Sequence, residues 1–296
     1  MSSHEITFSV IVPTYGRPAH LRNLLDCLCL NSFRNFEVVV IDQSEIPTNV
    51  TEYKNKLNLN YHHVSFRGAA LARNYGAKQA VGKILAFIDD DCIPSRRWLE
   101  EAYICFQDKD IVGLEGRISP GKYKNNRKNY RIVSNIGREG LAFMTANLFV
   151  FRDHFIRING FDERFNNPHF REDTDLGWRL QDLGNVMFSD KVKVIHPIEI
   201  INSNQNRVHF FVHDPLLFKK KPEKYIELFL IERHYIHTCG FWDYFLKGFE
   251  RHGIDYNLIK KLLSCRSLNL GYVPLHKLLP LIDSSNNLAS ASKQQL

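Results

Sequence analysis

The sequence predicts an α/β fold, a sheet flanked by helices, carrying a mainly helical C-terminal extension. Two observations carry this. The first half of the chain alternates short β-branched runs with amphipathic stretches, the pattern of strand–helix–strand units that build a parallel sheet. Beyond Pro197 the character changes to aromatic and basic sequence with helical spacing, as in HFFVHDPLLFKKKPEKYIELFLIERHYI.

The elements follow in order. FSVIVPTY (8 to 15) reads as a buried strand ending at Pro13. From Pro18 to Leu30 the apolar positions Leu21, Leu24, Leu25 and Leu28 form a helical stripe, with Pro18 suited to its start. FEVVVID (36 to 42) is a second buried strand. A polar loop with Pro47, a short strand near Tyr61 to Val64 and a helix from Ala69 to Val81 come next. Gly82 breaks that helix before the strand KILAFI (83 to 88), which runs into Asp89, Asp90 and Asp91. A helix from Trp98 to about Phe106 precedes the strand-like IVGLEGRI. Residues 119 to 140, rich in Lys, Arg, Asn and Gly, read as a mobile connection and candidate lid. A third block runs from Leu141 to the strand VKVIHP. The predicted organisation is an α/β domain over 1–200, a helical extension over 201–284 and a disordered tail over 285–296.

Composition, 44% hydrophobic and 24% charged, is that of a globular protein. The net charge of +7 suits nucleic acid, anionic lipid or phosphate-bearing substrates alike and selects none. Six cysteines lack zinc-ribbon spacing and the density of a disulfide scaffold, so reduced thiols in a cytoplasmic setting are expected. The N-terminus has no signal-peptide pattern, and no run approaches the roughly 18 apolar residues of a spanning helix. Membrane contact, at the inner face of the cytoplasmic membrane, would then be peripheral.

Acidic side chains at the C-terminal end of a sheet strand face a ligand crevice more often than a core. Strand alternation would point Asp89 and Asp91 to one side, as two oxygen arms for magnesium or manganese. The alternative is an acidic cap for the helix that follows Pro94 and Ser95. Mutual repulsion of three adjacent carboxylates favours the cation.

Four segments, in this order and spacing, resemble bacterial family 2 glycosyltransferases of GT-A type: VIVPTYGR (10 to 17), VVVID (38 to 42), GAALARNYGAKQAVGKILAFIDDD (68 to 91), and NGFDERF with REDTDLGWRL (159 to 165 and 171 to 180). The resemblance spans residues 8 to 197. It implies a Rossmann-like nucleotide-binding sandwich and an inverting, non-processive transfer of a sugar from a nucleotide-sugar to an acceptor hydroxyl, in cell-surface polysaccharide or glycoconjugate synthesis. By that resemblance Pro13, Thr14, Tyr15, Arg17 and Asp42 hold the nucleoside. Tyr15 would pack on the base, and Asp42 would accept a hydrogen bond from an imide such as that of uracil, which points to a UDP-linked donor. Arg73, with Arg67 a weaker companion, would lie near the base or phosphates. Asp89 and Asp91 would hold Mn2+ or Mg2+, Asp90 would contact the ribose, and Asn147 would sit beside the donor sugar. In similar enzymes one acid of the REDTD segment is the general base, here Asp173 with Glu172 as its neighbour. His196, at the end of VKVIHP, matches a further metal ligand of some relatives and equally a structural histidine.

The departures matter too. The second strand is followed by DQSE, where relatives commonly have a second acid or asparagine, and the glutamine-arginine-tryptophan motif of processive synthases is absent. The extension would meet a glycan or lipid-linked acceptor, a membrane surface or a second subunit; no nucleic-acid partner is expected. A sugar-nucleotide nucleotidyltransferase would need a glycine- and lysine-bearing loop after the first strand, and a dinucleotide oxidoreductase a glycine-x-glycine fingerprint there; VPTYGRPAH offers neither. A catalytically silent sugar- or nucleotide-binding scaffold is the remaining alternative, and the intact DDD and REDTD segments argue against it.

Overall fold

The computed structural model describes residues 5–108, 110–121, 130–200, 208–232 and 240–258, and these fall into two compact units, one on each side of residues 201–207. The expected tail over 285–296 lies outside the described residues.

The first unit is built on an eight-stranded sheet. Its elements are β1 (Phe8–Thr14), α1 (Pro18–Cys29), β2 (Phe36–Asp42), β3 (Leu59–His63), α2 (Ala69–Gln79), β4 (Ile84–Phe87), β5 (Ile93–Pro94), α3 (Trp98–Cys105), β6 (Ile111–Pro120), β7 (Tyr130–Arg131), β8 (Leu148–Phe151), α4 (Arg152–Arg157), α5 (Glu172–Gln181), β9 (Asn185–His196) and β10 (Glu199–Ile200). The sheet order is β3-β2-β1-β4-β8-β6-β9-β5, with β7 and β10 forming a separate antiparallel pair.

The first four strands pair in parallel; β1, β2 and β4 carry the buried, mostly apolar runs of a sheet covered on both faces, whereas β3, LNYHH, is a partly exposed edge strand. The Leu21–Leu24–Leu25–Leu28 stripe of α1 is buried in the same core as Phe8, Val10 and Val12. Helix α2 approaches the other face closely: a Cβ on Gly76 would stand 2.7 Å from the Ile11 side chain, so only glycine fits there. The second half of the sheet is different. Strand β8 runs antiparallel to both β4 and β6, and β5 antiparallel to β9. The apolar run LFVF encodes burial but not strand direction, and β9, expected only over its last residues, extends over twelve because it carries a bulge opposite Gly116 and Arg117.

The expected loose segment 119–140 is also corrected in part. Residues 122–129 lie outside the described set, but 134–140 are tied down by hydrogen bonds from Ser134 and Asn135 to strand β6.

The second unit contains α6 (Asp214–Lys220), α7 (Pro222–Ile231) and α8 (Phe241–Arg251). Its aromatic residues pack on one another: Tyr225 touches Phe218, Phe229 and Phe245, and Phe241 touches Phe211, Phe229 and Phe245. Tyr225 also donates to buried Asp214 at 2.8 Å. Those rings fill a core of their own. No helix among the described residues is long and apolar enough to cross a membrane.

Candidate active site

Strand β1 has β2 on one side and β4 on the other, so the chain leaves in opposite directions around its C-terminal end. Such a reversal opens a crevice beyond the strand ends. Tyr15 and Arg17 follow β1, Asp42 ends β2, and Asp89–Asp91 follow β4.

Strand β4 stops at Phe87, so the three aspartates lie in a turn and strand alternation does not govern them. The turn nevertheless separates their roles. Asp90 points inward with no exposed surface, accepting from the Thr14 hydroxyl at 2.5 Å and pairing with Arg17 at 2.5 Å. Burial pushes its carboxyl up to about 7, against the pull of Arg17. Asp89 and Asp91 instead converge with Cys92 and His196, each offering one ligand atom, all within 4.8 Å of one another. Asp91 also receives Arg17 at 2.9 Å. His196 Nδ1 stands 2.9 Å from the Pro197 carbonyl, which only accepts, so that nitrogen carries the proton. In the neutral ring Nε2 is then a free lone pair, and it faces Asp91 Oδ1 at 3.6 Å. Two carboxylates and an oriented imidazole fit a divalent cation, manganese more readily than magnesium.

Behind this cluster, buried Arg73 forks between two acidic groups. Its guanidinium donates to Asp89 at 2.8 Å and to Glu172 at 3.2 Å. Burial, the largest influence, raises Asp89, but Arg73, His196 and Arg17 together more than offset it and hold the carboxyl below its ordinary value. Glu172 opens helix α5, entered through Arg171 in the left-handed region at φ 73°. Asp173 is next, half-buried, and accepts from the Thr174 amide at 2.7 Å. Burial and then the like charge of Glu172 push Asp173 up to about 7.

The opposite wall is formed by Tyr15 and the β2 end. Tyr15 is exposed, with the Arg67 guanidinium over its ring at 3.7 Å, and Arg67 also reaches Glu45 at 3.3 Å. Asp42 is fully buried. It accepts from the Ser44 amide at 2.8 Å, the Thr48 amide at 2.9 Å and the Tyr61 hydroxyl at 2.6 Å.

A family model for glycosyl transferase family 2 matches residues 9–172, more than half of the chain, from β1 to Glu172 at the start of α5. The chain belongs to glycosyl transferase family 2. Among curated family members it is similar to glycosyltransferase AglE of Haloferax volcanii, 27% identical over 209 residues, a match spanning 64% of this chain and 66% of that one. Among solved structures it is similar to residues 1–349 of S. aureus TarS in complex with UDP-GlcNAc, with a TM-score of 0.69 at 18% identity, covering 98% of this chain and 92% of that one. It is also similar to the mannosyltransferase PcManGT of Pyrobaculum calidifontis in complex with GDP-Man and Mn2+, with a TM-score of 0.57 at 17% identity, covering 98% and 87%. At such identities the structural likenesses speak to the fold, which is the GT-A type with a helical C-terminal region.

Within the family 2 frame, the expected site residues separate into groups. Thr14, Asp90, Arg17, Asp91 and His196 form one polar network and Asp89, Arg73 and Glu172 another, and the two face each other where Asp89, Asp91 and His196 converge. Several are turned to tasks other than those the resemblance implied. Pro13 is buried in β1, and Thr14 is buried and bonded to Asp90. Arg17 sits on the acidic turn, Asp90 has no surface to offer a ribose, and Arg73 is buried between carboxylates. Asp42 spends its oxygens on the Ser44 and Thr48 amides, so it holds the loop 44–48 beside the end of β2. Asn147 is fully buried: it donates to the Arg117 and Val192 carbonyls and accepts from the Trp98 indole, which fixes β6, β9 and α3 together. It is a bracket in the core.

Three residues of the site were not singled out in the sequence. Cys92 adjoins the acidic run, and that adjacency was the available signal. Gln43 accepts from the Gly68 amide at 2.6 Å, which a glutamine beside Asp42 does not advertise. Glu115, buried in the middle of β6, was visible as a lone acid in an apolar strand.

Proposed function

We propose that this chain is an inverting, metal-dependent glycosyltransferase that moves a sugar from a nucleotide-sugar, UDP-linked, to an acceptor hydroxyl of a cell-surface glycan or lipid-linked intermediate. The observation that carries this is the pairing of two unlike acidic centres joined by Arg73: one gathers cation ligands at Asp89, Asp91 and His196, and the other presents Asp173, poised near neutrality. A scaffold has no use for that second centre.

In this reading the nucleoside lies on Tyr15, and Arg67, whose guanidinium already covers that ring, moves aside or closes over the base. Asp42 holds the 44–48 loop as the base's edge wall. A bound divalent ion would neutralise the diphosphate as it leaves, the Lewis-acid part of the chemistry. Asp173 takes the proton of the acceptor hydroxyl, whose oxygen forms the new bond to the anomeric carbon while the bond to the diphosphate oxygen breaks. A carboxyl near 7 holds that proton more firmly than an ordinary aspartate and still releases it at neutral pH. Attack from the face opposite the diphosphate inverts the anomeric centre. The UDP-GlcNAc complex of TarS supports a UDP-sugar donor, and the Mn2+ complex of PcManGT supports the cation.

The test is a panel of UDP-GlcNAc, UDP-glucose, UDP-galactose and GDP-mannose, followed for Mn2+-dependent hydrolysis and for protection against thermal unfolding. Hydrolysis of a UDP-sugar that stops with chelator is the expected result. No response to any of the four, with or without Mn2+, removes the reading.

A further inference from the structure

The middle of β6 carries a carboxylate that the proposed chemistry does not use. Glu115 has no exposed surface, and its strand neighbours are Leu148 of β8 and Phe188 of β9. A carboxylate in the centre of a sheet is costly to keep unless its oxygens are hydrogen-bonded. Both are: Oε1 accepts from the Asn135 side-chain amide at 2.9 Å, and Oε2 from the Gly140 backbone amide at 2.7 Å.

Those two donors belong to one stretch, 134–143, which runs between β6 and α5. Its β6 side is fixed further by Asn135, which donates to the Gly116 carbonyl and accepts from the Ile118 amide, and by Glu139, paired with Arg117 at 2.6 Å. Its other side is held by the helix. Thr174 donates to the Ala142 carbonyl at 2.9 Å, the Trp178 indole to that of Leu141 at 2.9 Å, and Gln181 to that of Gly140 at 3.1 Å. Phe143, at φ 52°, packs so closely on the helix that a Cβ at Gly177 would meet its ring at 2.1 Å. Three carbonyls in a row point at α5, and Thr174, the first donor, adjoins Asp173.

We propose that Glu115 is a positioning residue: through the 134–143 strap it sets where helix α5 presents Asp173 to the acceptor. This rests on the reading of Asp173 as the base. Gly140 is the hinge of the arrangement, because its amide is held by Glu115 while its carbonyl is held by Gln181. Release of Glu115 therefore loosens the carbonyl row at its end nearest β6. The charged groups that face Glu115 are Glu139, Asp173 and, through its pair with Glu139, Arg117. Burial, set against the two amides, pushes Glu115 up to about 6, so it remains largely ionised at neutral pH and adds negative charge near the base.

Glu115→Gln keeps the side-chain volume but replaces one acceptor by a donor, so one of the two amides meets another N–H. Trp178→Phe leaves the carboxylate intact and removes the indole hold on Leu141, together with some buried ring volume. The measurement is Mn2+-dependent hydrolysis of whichever of the four panel donors the native chain turns over fastest, with UDP affinity measured by calorimetry in Mn2+. Each variant is expected to lower kcat on the order of 10–100-fold, the scale of a misplaced catalytic group, with UDP affinity unchanged. In Glu115→Gln the acid limb of the pH–rate profile moves to lower pH, since a negative neighbour of Asp173 is lost. The double variant loses less than the product of the two singles, because both release one strap. Unchanged kcat and pH limb in both variants, after normalising to the fraction that binds UDP, overturns the proposal, and so does a double variant whose losses multiply. Full turnover by Asp173→Asn, or no hydrolysis by the native chain, removes the reading beneath it instead.

Discussion

The acidic turn after β4 and the acidic start of α5 contain the same side chains in opposite electrostatic settings. At the turn, two arginines attend three aspartates: Arg17 pairs with Asp90 and Asp91, and Arg73 with Asp89. At the helix, Arg73 reaches Glu172, while Asp173 accepts from the Thr174 amide at 2.7 Å and the Thr174 hydroxyl at 3.4 Å. The outcome differs accordingly. Asp89 stays below its ordinary range, suited to remain ionised on a cation, whereas Asp173 rises to about 7, suited to take and return a proton. Burial raises all of these acids: the cations around Asp89 reverse it, the like charge of Glu172 adds to it at Asp173, and at Asp90 it prevails despite Arg17.

The sharpest way to break that division is Asp173→Asn. It removes the proton acceptor while keeping shape, so turnover should fall by about 10²–10⁴-fold with UDP affinity in Mn2+ unchanged. The native chain supplies the companion measurement. The base must be unprotonated to work, so the rate should rise with pH up to about 7 and fall roughly tenfold per unit below it. A profile flat from pH 5 to 8 would move the base elsewhere.

Arg73 is where the two centres meet, and its removal should blur them. Arg73→Gln leaves Asp89 and buried Glu172 without their common cation, a loss of about 3–5 kcal/mol of stability by denaturant unfolding. Arg73→Lys keeps the charge but not the fork, and one ammonium cannot reproduce two separate donors. It should recover part of the stability without restoring turnover.

How much of this was legible depends on what each signal encodes. Strands β1, β2 and β4 were readable because burial on both faces leaves mostly apolar runs, and β2 was read over its full extent, Phe36–Asp42. The antiparallel insertion of β8 was not, because direction comes from connections and not from periodicity. Segments DDD and REDTD were visible as acid clusters at element ends. Residue tasks were harder. Thr14, Arg17 and Arg73 are polar residues near a predicted ligand, yet the fold satisfies them with aspartates; which partner a buried arginine finds is a long-range fact, and Arg73 and Glu172 lie 99 positions apart. Asn147 is the clearest case, since nothing in MTANLFV foretells that its amide is consumed by three separate elements.

A milder change acts on the cation side alone. Asp91→Asn removes the carboxylate that faces both His196 and Arg17, so Mn2+ affinity, followed by calorimetry, should weaken by about 10–100-fold while the pH limb set by Asp173 stays in place. A shift of that limb would show that the two centres titrate together.

The smallest effect is expected at Cys92, and it separates geometry from chemistry within the cation cluster. Its sulfur is among the four ligand atoms that converge, so position alone would count it as a ligand. Only the thiolate binds metal well, and burial, reinforced by Asp89 and Asp91, pushes the Cys92 thiol far above its ordinary range. A hard, oxygen-seeking ion gives little return for removing that proton, whereas a thiophilic one does. Cys92→Ser should therefore change Mn2+ affinity by less than about threefold while weakening Cd2+ binding more strongly. Equal losses for the two ions would place the sulfur in the manganese coordination sphere, and the turn after β4 would then be a mixed-ligand centre in place of an oxygen-and-imidazole one.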